Sequence, residues 1–137
     1  MTDHPILAID HGEARIGLAA TDEFGIAAHP VETIHRANTD PLGRLAEIIA
    51  QREVKTLLLG LPLKSDGREG EAAKKIRAFG DELRETFPQL PLYFHDESFT
   101  TLAAASKLRS AGKNAKKQKD IIDQAAALEI LQNYLGW

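Results

Sequence analysis

The sequence predicts one α/β domain over residues 1–137, built on a five-stranded mixed sheet with helices on its flanks. The sheet is a three-strand antiparallel meander followed by two parallel strands. Three observations carry this. The first third of the chain holds three short apolar runs joined by connections too short for a crossover, so the strands must run antiparallel. The middle alternates helical periodicity with a continuous apolar run, as strands buried on both faces of a sheet require. The chain then closes on helical periodicity, and its length suits a single core.

Ile6–Asp10 is the first strand, and His11-Gly12-Glu13-Ala14 reads as a turn into a second strand at Ile16–Ala20. A third strand, Ile26–Ile34, contains Pro30, which places it at an edge or at an irregularity. Thr39 or Asp40 then caps a helix that has Pro41 at its first position and a stripe of Leu42, Leu45, Ile48 and Ile49. Thr56–Gly60 is a buried parallel strand. Glu69–Thr86 is the next helix, with Ala72, Ala73, Ile76, Phe79 and Leu83 inward and Asp66/Glu69 at capping-box spacing. Pro91–His95 is the fifth strand. A helix follows from Thr100 or Thr101 to about Ser110, stopped by Gly112, and Lys113–Lys119 reads as a loop. A last helix runs from about Asp120 to Leu135, burying Ile121, Ile122, Ala125, Leu128 and Leu131.

Composition removes several function classes. The absence of cysteine excludes disulfides and thiolate-ligated zinc and makes the cytoplasm the expected compartment. No apolar run approaches the ~20 residues of a membrane span, and Met1–Pro5 lacks signal-peptide character. The net charge of −3 is unevenly spread. Ser98–Lys119 carries Lys107, Arg109, Lys113, Lys116, Lys117 and Lys119 with no acid, hence +6. The remaining 11 basic and 20 acidic residues sum to −9. A basic strip on an acidic body suits local phosphate binding, with a solvated loop as the plainer explanation. If half of these six cations touch duplex phosphates, log K falls with log salt at a slope of roughly −3.

In a sheet of this order, ligands sit beyond the carboxyl ends of the parallel strands. That rule singles out Asp10, Gly60-Leu61-Pro62 and His95-Asp96-Glu97. Asp10 ends an apolar strand before a glycine turn, where an unpaired buried charge would be costly; an Asx-turn is the structural alternative. Asp96 and Glu97 are adjacent in a strand, so only one faces a given site. Asp123 stands in an alanine-rich helix, where an exposed first-turn acid is the alternative. Acids gathered at these points repel one another unless a hard cation joins them, and Mg²⁺ and Mn²⁺ prefer oxygen ligands. Two such ions activate water and stabilise the leaving oxygen in phosphodiester hydrolysis. The histidines show no zinc spacing, and His11 and His95 read as packing or hydrogen-bonding residues. Arg15, Lys64 and Arg68 lie in loops beside the expected site and are candidate phosphate contacts.

Taken jointly, Asp10-His11-Gly12-Glu13-Ala14-Arg15-Ile16-Gly17, Gly60-Leu61-Pro62-Leu63, Asp66-Gly67, Asp96-Glu97-Ser98-Phe99-Thr100-Thr101 and Asp123-Gln124-Ala125-Ala126-Ala127 resemble the YqgF/RuvX-like family, which is related to RuvC-type resolvases. The resemblance covers almost the whole chain. It implies an RNase H-like fold and Asp10, Glu97 and Asp123 as catalytic acids that bind Mg²⁺ or Mn²⁺. It implies either maturation of the 5′ end of pre-16S ribosomal RNA or resolution of four-way DNA junctions, so the expected partners are structured nucleic acid, the ribosome precursor and a second copy of the chain. The sequence departs from the family at Ser98-Phe99, which replace a usual Arg-Leu and remove one basic residue. Two rival readings remain at this level. One is a non-catalytic nucleic-acid-binding module of ribosome assembly. The other is a single ATP-binding lobe of actin/sugar-kinase type, which shares the Asp-x-Gly hairpin.

Overall fold

The computed structural model describes residues 3–64, 66–97 and 115–137; the side chains of Glu97, Ala115, Lys116 and Lys117 lie outside the described set. Its elements are β1 (Ile6–His11), β2 (Arg15–Thr21), β3 (Ala28–His35), α1 (Pro41–Arg52), β4 (Thr56–Pro62), α2 (Glu71–Thr86), β5 (Leu92–Glu97) and α3 (Ala115–Leu135). The five strands form one sheet in the order β3-β2-β1-β4-β5. β1–β2 and β2–β3 pair antiparallel, while β1–β4 and β4–β5 pair parallel. The expected meander and crossovers are therefore present. β3 is an edge strand, and its register with β2 shifts opposite Pro30, where a residue without an N–H does least harm.

Side-chain alternation divides the strands between two layers. Leu7 and Ile9 of β1, Ile16 and Leu18 of β2, and Leu57 and Leu59 of β4 join Leu45, Ile48, Ile76, Phe79 and Leu83 of α1 and α2. On the opposite face, Ile6, Ala8, Ala19 and Leu58 pack beneath Ala127, Ile130 and Leu131 of α3. β1 and β4 are buried on both faces, so their sequences read as unbroken apolar runs.

The caps show how local chemistry sets the helix limits. Asp40 begins α1, its Oδ2 accepting the Gly43 N–H at 3.1 Å, with Pro41 in the first turn. Glu53 ends α1 with φ 52° and ψ 46°, a left-handed conformation that costs a residue with a Cβ. The expected capping box of α2 does not form. Asp66 instead accepts the Arg68 N–H at 3.0 Å and its Nε at 2.7 Å in a turn through Gly67 (φ 83°). Glu69 takes two bonds from Arg77, so α2 starts two residues later, after a Gly70 cap that has no side-chain bond. Ala72, expected inward, is exposed.

α3 requires a larger correction. It begins at Ala115, because Ala115–Lys119 are good helix formers and no breaker intervenes, so the segment expected as loop is helical from residue 115 onward. Its buried stripe is turned by one position. Ile121 is 55% exposed, while Ile122, Asp123, Ala127, Ile130 and Leu131 are buried. The expected helix at 100–110, with Lys107 and Arg109, and Lys113 lie outside the described residues. Among the described residues, no helix is long and apolar enough to cross a membrane.

Candidate active site at the carboxyl end of the first strand

β1 places Asp10 where alternation carries the α3 face past the end of the core, two and four positions beyond Ala8 and Ile6. Its cross-strand partner on β2 is Gly17. The bare Gly17 backbone is what admits α3. A Cβ built there would lie 2.0 Å from the Asp123 carbonyl oxygen and 2.9 Å from the Asp123 Cβ. Asp123 is thus pressed onto β2 beside the position paired with Asp10, and both acids line one cavity of ≈ 520 Å³. Asp123 is 9% exposed and stands in the third turn of the longer α3, so it is a buried acid and not a solvated first-turn charge.

Arg15 projects from the same face of β2, and its Nε donates to Asp123 Oδ2 at 2.7 Å. This ion pair compensates the buried carboxylate. Gly12 makes the preceding turn possible: a Cβ there would lie 2.4 Å from the Arg15 carbonyl oxygen. Arg36, just past β3, fastens the turn. Its Nη1 donates to the Gly12 carbonyl at 3.1 Å and approaches His11 Nε2 at 2.7 Å, and its N–H donates to the Ala14 carbonyl at 3.0 Å. Burial, and then the Arg36 charge, lowers the His11 pKa to about 4. His11 is accordingly neutral at pH 7, with Nε2 as acceptor, and its ring packs on Phe79 at 4.5 Å between centroids. Across the cavity Lys75 of α2 pairs with Glu13 of the turn; this bond raises the Lys75 pKa and lowers that of Glu13.

Of the residues singled out from sequence, Asp10, Arg15 and Asp123 share the cavity. The Glu97 backbone ends β5 in register with Pro62, which lines that cavity; the Glu97 side chain lies outside the described set. Among the described residues, no three acidic or histidine side chains are grouped to hold a metal ion. Arg68 is 79% exposed and bound to Asp66, and Lys64 is exposed beside Gly70; neither lines the cavity. Lys119 is exposed on the first turns of α3. His95 packs edge-on against Tyr134 at 6.0 Å, a packing role as expected. Sequence reasoning missed Arg36 and Lys75. Antiparallel order gave a usable signal for Arg36, because a meander brings the end of β3 to the same end of the sheet as the end of β1, with the start of β2 between them. For Lys75 no local signal existed beyond its place on the flank of the Ala73/Ile76 stripe.

The comparisons with known proteins agree with this geometry. The family model described as "RuvX: Holliday junction resolvase" matches residues 4–136. A Cutibacterium acnes protein named "Putative pre-16S rRNA nuclease" is 48% identical over 129 residues, covering 94% of this chain and 80% of that one. A Streptomyces avermitilis protein of the same name is 43% identical over 130 residues, covering 94% and 83%. Among solved structures, Thermus thermophilus RuvC in complex with a Holliday junction substrate superimposes with a TM-score of 0.55 at 18% identity, over 97% of each chain. That likeness establishes the RNase H-like fold. By its family model, its relatives and its sheet order, the chain belongs to the RuvX family.

Proposed function

We propose that the chain is a divalent-metal-dependent endonuclease that hydrolyses phosphodiester bonds in structured nucleic acid, with the 5′ region of pre-16S ribosomal RNA as its substrate. The observation that carries this reading is the joint placement of Asp10 and Asp123 in one cavity, held together by the close approach of α3 to Gly17. The donor set suits the metal: both side chains are carboxylates, and the chain has no cysteine to favour a softer ion. Asp10 and Asp123 would hold Mg²⁺ or Mn²⁺, with Glu97 as the third acid on the strength of its register beside Pro62. When bound, two such ions supply an activated water and charge stabilisation at the leaving oxygen.

The chain's own groups have separate tasks. Arg15 neutralises Asp123 and stands at the cavity, where a phosphate would compete for its guanidinium. Arg36 and Gly12 fix the turn that carries Asp10 into the cavity. Neutral His11 orients Arg36 without consuming its charge. The name shared by the relatives favours rRNA and so the cytoplasm and the ribosome precursor. The family description favours a second substrate, the four-way DNA junction, on which a pair of copies would match the two-fold symmetry. Cleavage of labelled pre-16S 5′ fragments, four-way junctions, duplex and single strands, each with Mg²⁺ or Mn²⁺, separates the two. Asp10→Asn should abolish cleavage and retain binding. Undiminished cleavage by that variant would refute the assignment, and binding without cleavage by the unmodified chain would leave a binding module.

A further inference from the structure

On the nuclease reading above, we infer that the substrate strand continues past the carboxylates, over the Gly12 turn, into a second phosphate subsite formed by Arg36 and Lys75. The cavity holding Asp10 and Asp123 does not end at the turn. It shares His11, Glu13 and Lys75 with an adjoining cavity of ≈ 350 Å³, which Arg36 and Glu82 also line. Lys75 therefore stands where the two cavities meet, and Arg36, from a separate element, lines the second with it.

Arg36 is built to receive an anion. Its side-chain bonds among the described residues both run from Nη1, to a His11 ring nitrogen and to the Gly12 carbonyl oxygen, neither of them an anion. Neither partner cancels its charge, so the guanidinium is oriented and half-buried, with further donors available for a phosphate oxygen. Phe79 packs on the far side of His11 and stiffens the arrangement. Glu82 is the acid facing this end of the groove, and no ion pair joins it to Arg36 among the described residues.

Lys75 is paired, but with an exchangeable partner. Glu13 is 78% exposed and Lys75 59% exposed, and an ion pair this solvated is worth little. A backbone phosphodiester carries the same single charge as Glu13 and, held in the groove by the rest of the strand, displaces it at small cost. Glu13 then acts as the stand-in for a backbone phosphate beside the scissile one. The subsite gives the enzyme a requirement for a strand that runs on beyond the cut, which a terminal nucleotide does not meet.

The test is fluorescence anisotropy with a labelled pre-16S 5′ fragment and a labelled four-way junction, in the Asp10→Asn background so that cleavage does not intrude. Lys75→Gln, on an exposed helical position, should weaken binding about 3–10-fold and reduce the magnitude of the salt slope by about 1. Glu13→Gln should tighten binding, and that gain should vanish when Lys75→Gln is also present. Arg36→Lys, which keeps the charge but loses the fork, should bind more weakly than Arg36 and should also respond less to neutralising the neighbouring phosphate. One uncharged methylphosphonate next to the scissile position should weaken binding by the unmodified subsite more than binding by Lys75→Gln, which keeps only the Arg36 contact. Equal affinity and slope for Lys75→Gln would overturn the subsite while the nuclease reading stands, as would a Glu13→Gln gain that persists without Lys75. If neither probe binds the Asp10→Asn chain at all, the nuclease reading falls and the subsite with it.

Discussion

Replacing Gly17 by alanine adds one methyl group at the point where the helix layer comes closest to the sheet. The new Cβ would lie 2.0 Å from the Asp123 carbonyl oxygen and 2.4 Å from its carbonyl carbon. Ordinary contact begins near 3.4 Å, so the backbones of β2 and α3 must separate locally by about 1.4 Å. The obstacle is backbone, so no side-chain rotation relieves it. Two costs follow. Lifting α3 thins the packing of Ala127, Ile130 and Leu131 on Ile6, Ala8 and Leu58, and overpacking of this kind costs about 1–3 kcal/mol. It also carries Asp123 away from Asp10, and a misplacement of about 1 Å in a catalytic constellation lowers turnover on the order of 10²-fold. Urea denaturation and metal-dependent cleavage of a labelled RNA fragment measure the two effects on the same protein. Both should fall, with the far-UV spectrum unchanged. A Gly17→Ala chain with native stability and native turnover would refute the account of how the two acids are brought together.

Glu53→Gly should raise stability by about 0.5 kcal/mol in chemical denaturation, because relief of a left-handed residue (~1–2 kcal/mol) exceeds the entropy lost with glycine (~0.5–1 kcal/mol). Glu32 accepts two bonds from Arg44, and this pairing lowers its pKa. Its contribution is therefore fully present above the unfolded value near 4.5 and is lost as pH falls through the lower folded value. Glu32→Gln should flatten the stability profile in that acid window by about 0.5 kcal/mol, a figure discounted for near one-third exposure, and an unchanged profile would show that the pair contributes nothing. Arg15→Gln leaves the buried Asp123 carboxylate without its ion-pair partner and should cost about 1–3 kcal/mol. It also removes a cation that competes with the metal, so Mn²⁺ should raise the melting temperature more in this variant than in the unmodified chain; an equal or smaller rise would count against metal binding at Asp123.

The sheet was legible because its signals are local and redundant. Ile6–Asp10 and Thr56–Gly60 read as strands from apolar runs alone, and connection length settled which neighbours run antiparallel. The structure departs from the sequence expectation where a local signal has two uses. Asp66 and Glu69 have capping-box spacing, but Gly67 lets Asp66 close a turn and Arg77 claims Glu69, so the helix begins without them. The phase of α3 differs by one residue from that expected because Ile121 and Ile122 are chemically equal, and periodicity alone keeps an acid such as Asp123 out of the buried stripe. Only the tertiary contact at Gly17, and the Arg15 charge that makes burial of Asp123 tolerable, decide between them. Arg36 and Lys75 were invisible for the same reason. Each gains its role from a neighbour far away in sequence, Arg36 from His11 and Lys75 from Glu13.

The electrostatics of the groove explain how a chain of net charge −3 can serve a polyanion. The residues lining its two cavities include three cations, Arg15, Arg36 and Lys75, and four acids, Asp10, Glu13, Glu82 and Asp123, so the groove itself carries a formal −1. One divalent ion reverses that to +1 and two bring it to +3. On the proposed metal-dependent reading, a bound ion would therefore add to the attraction for phosphate that the groove's cations already supply. The ion pairs in the groove fit this logic. Arg15–Asp123 and Lys75–Glu13 each hold a cation against an acid, and on the proposed reading arrival of metal at one end and phosphate at the other would exchange partners without leaving the buried Asp123 charge uncompensated. A groove of fixed positive charge would bind any nucleic acid more tightly but would lose this contribution of the ion to binding.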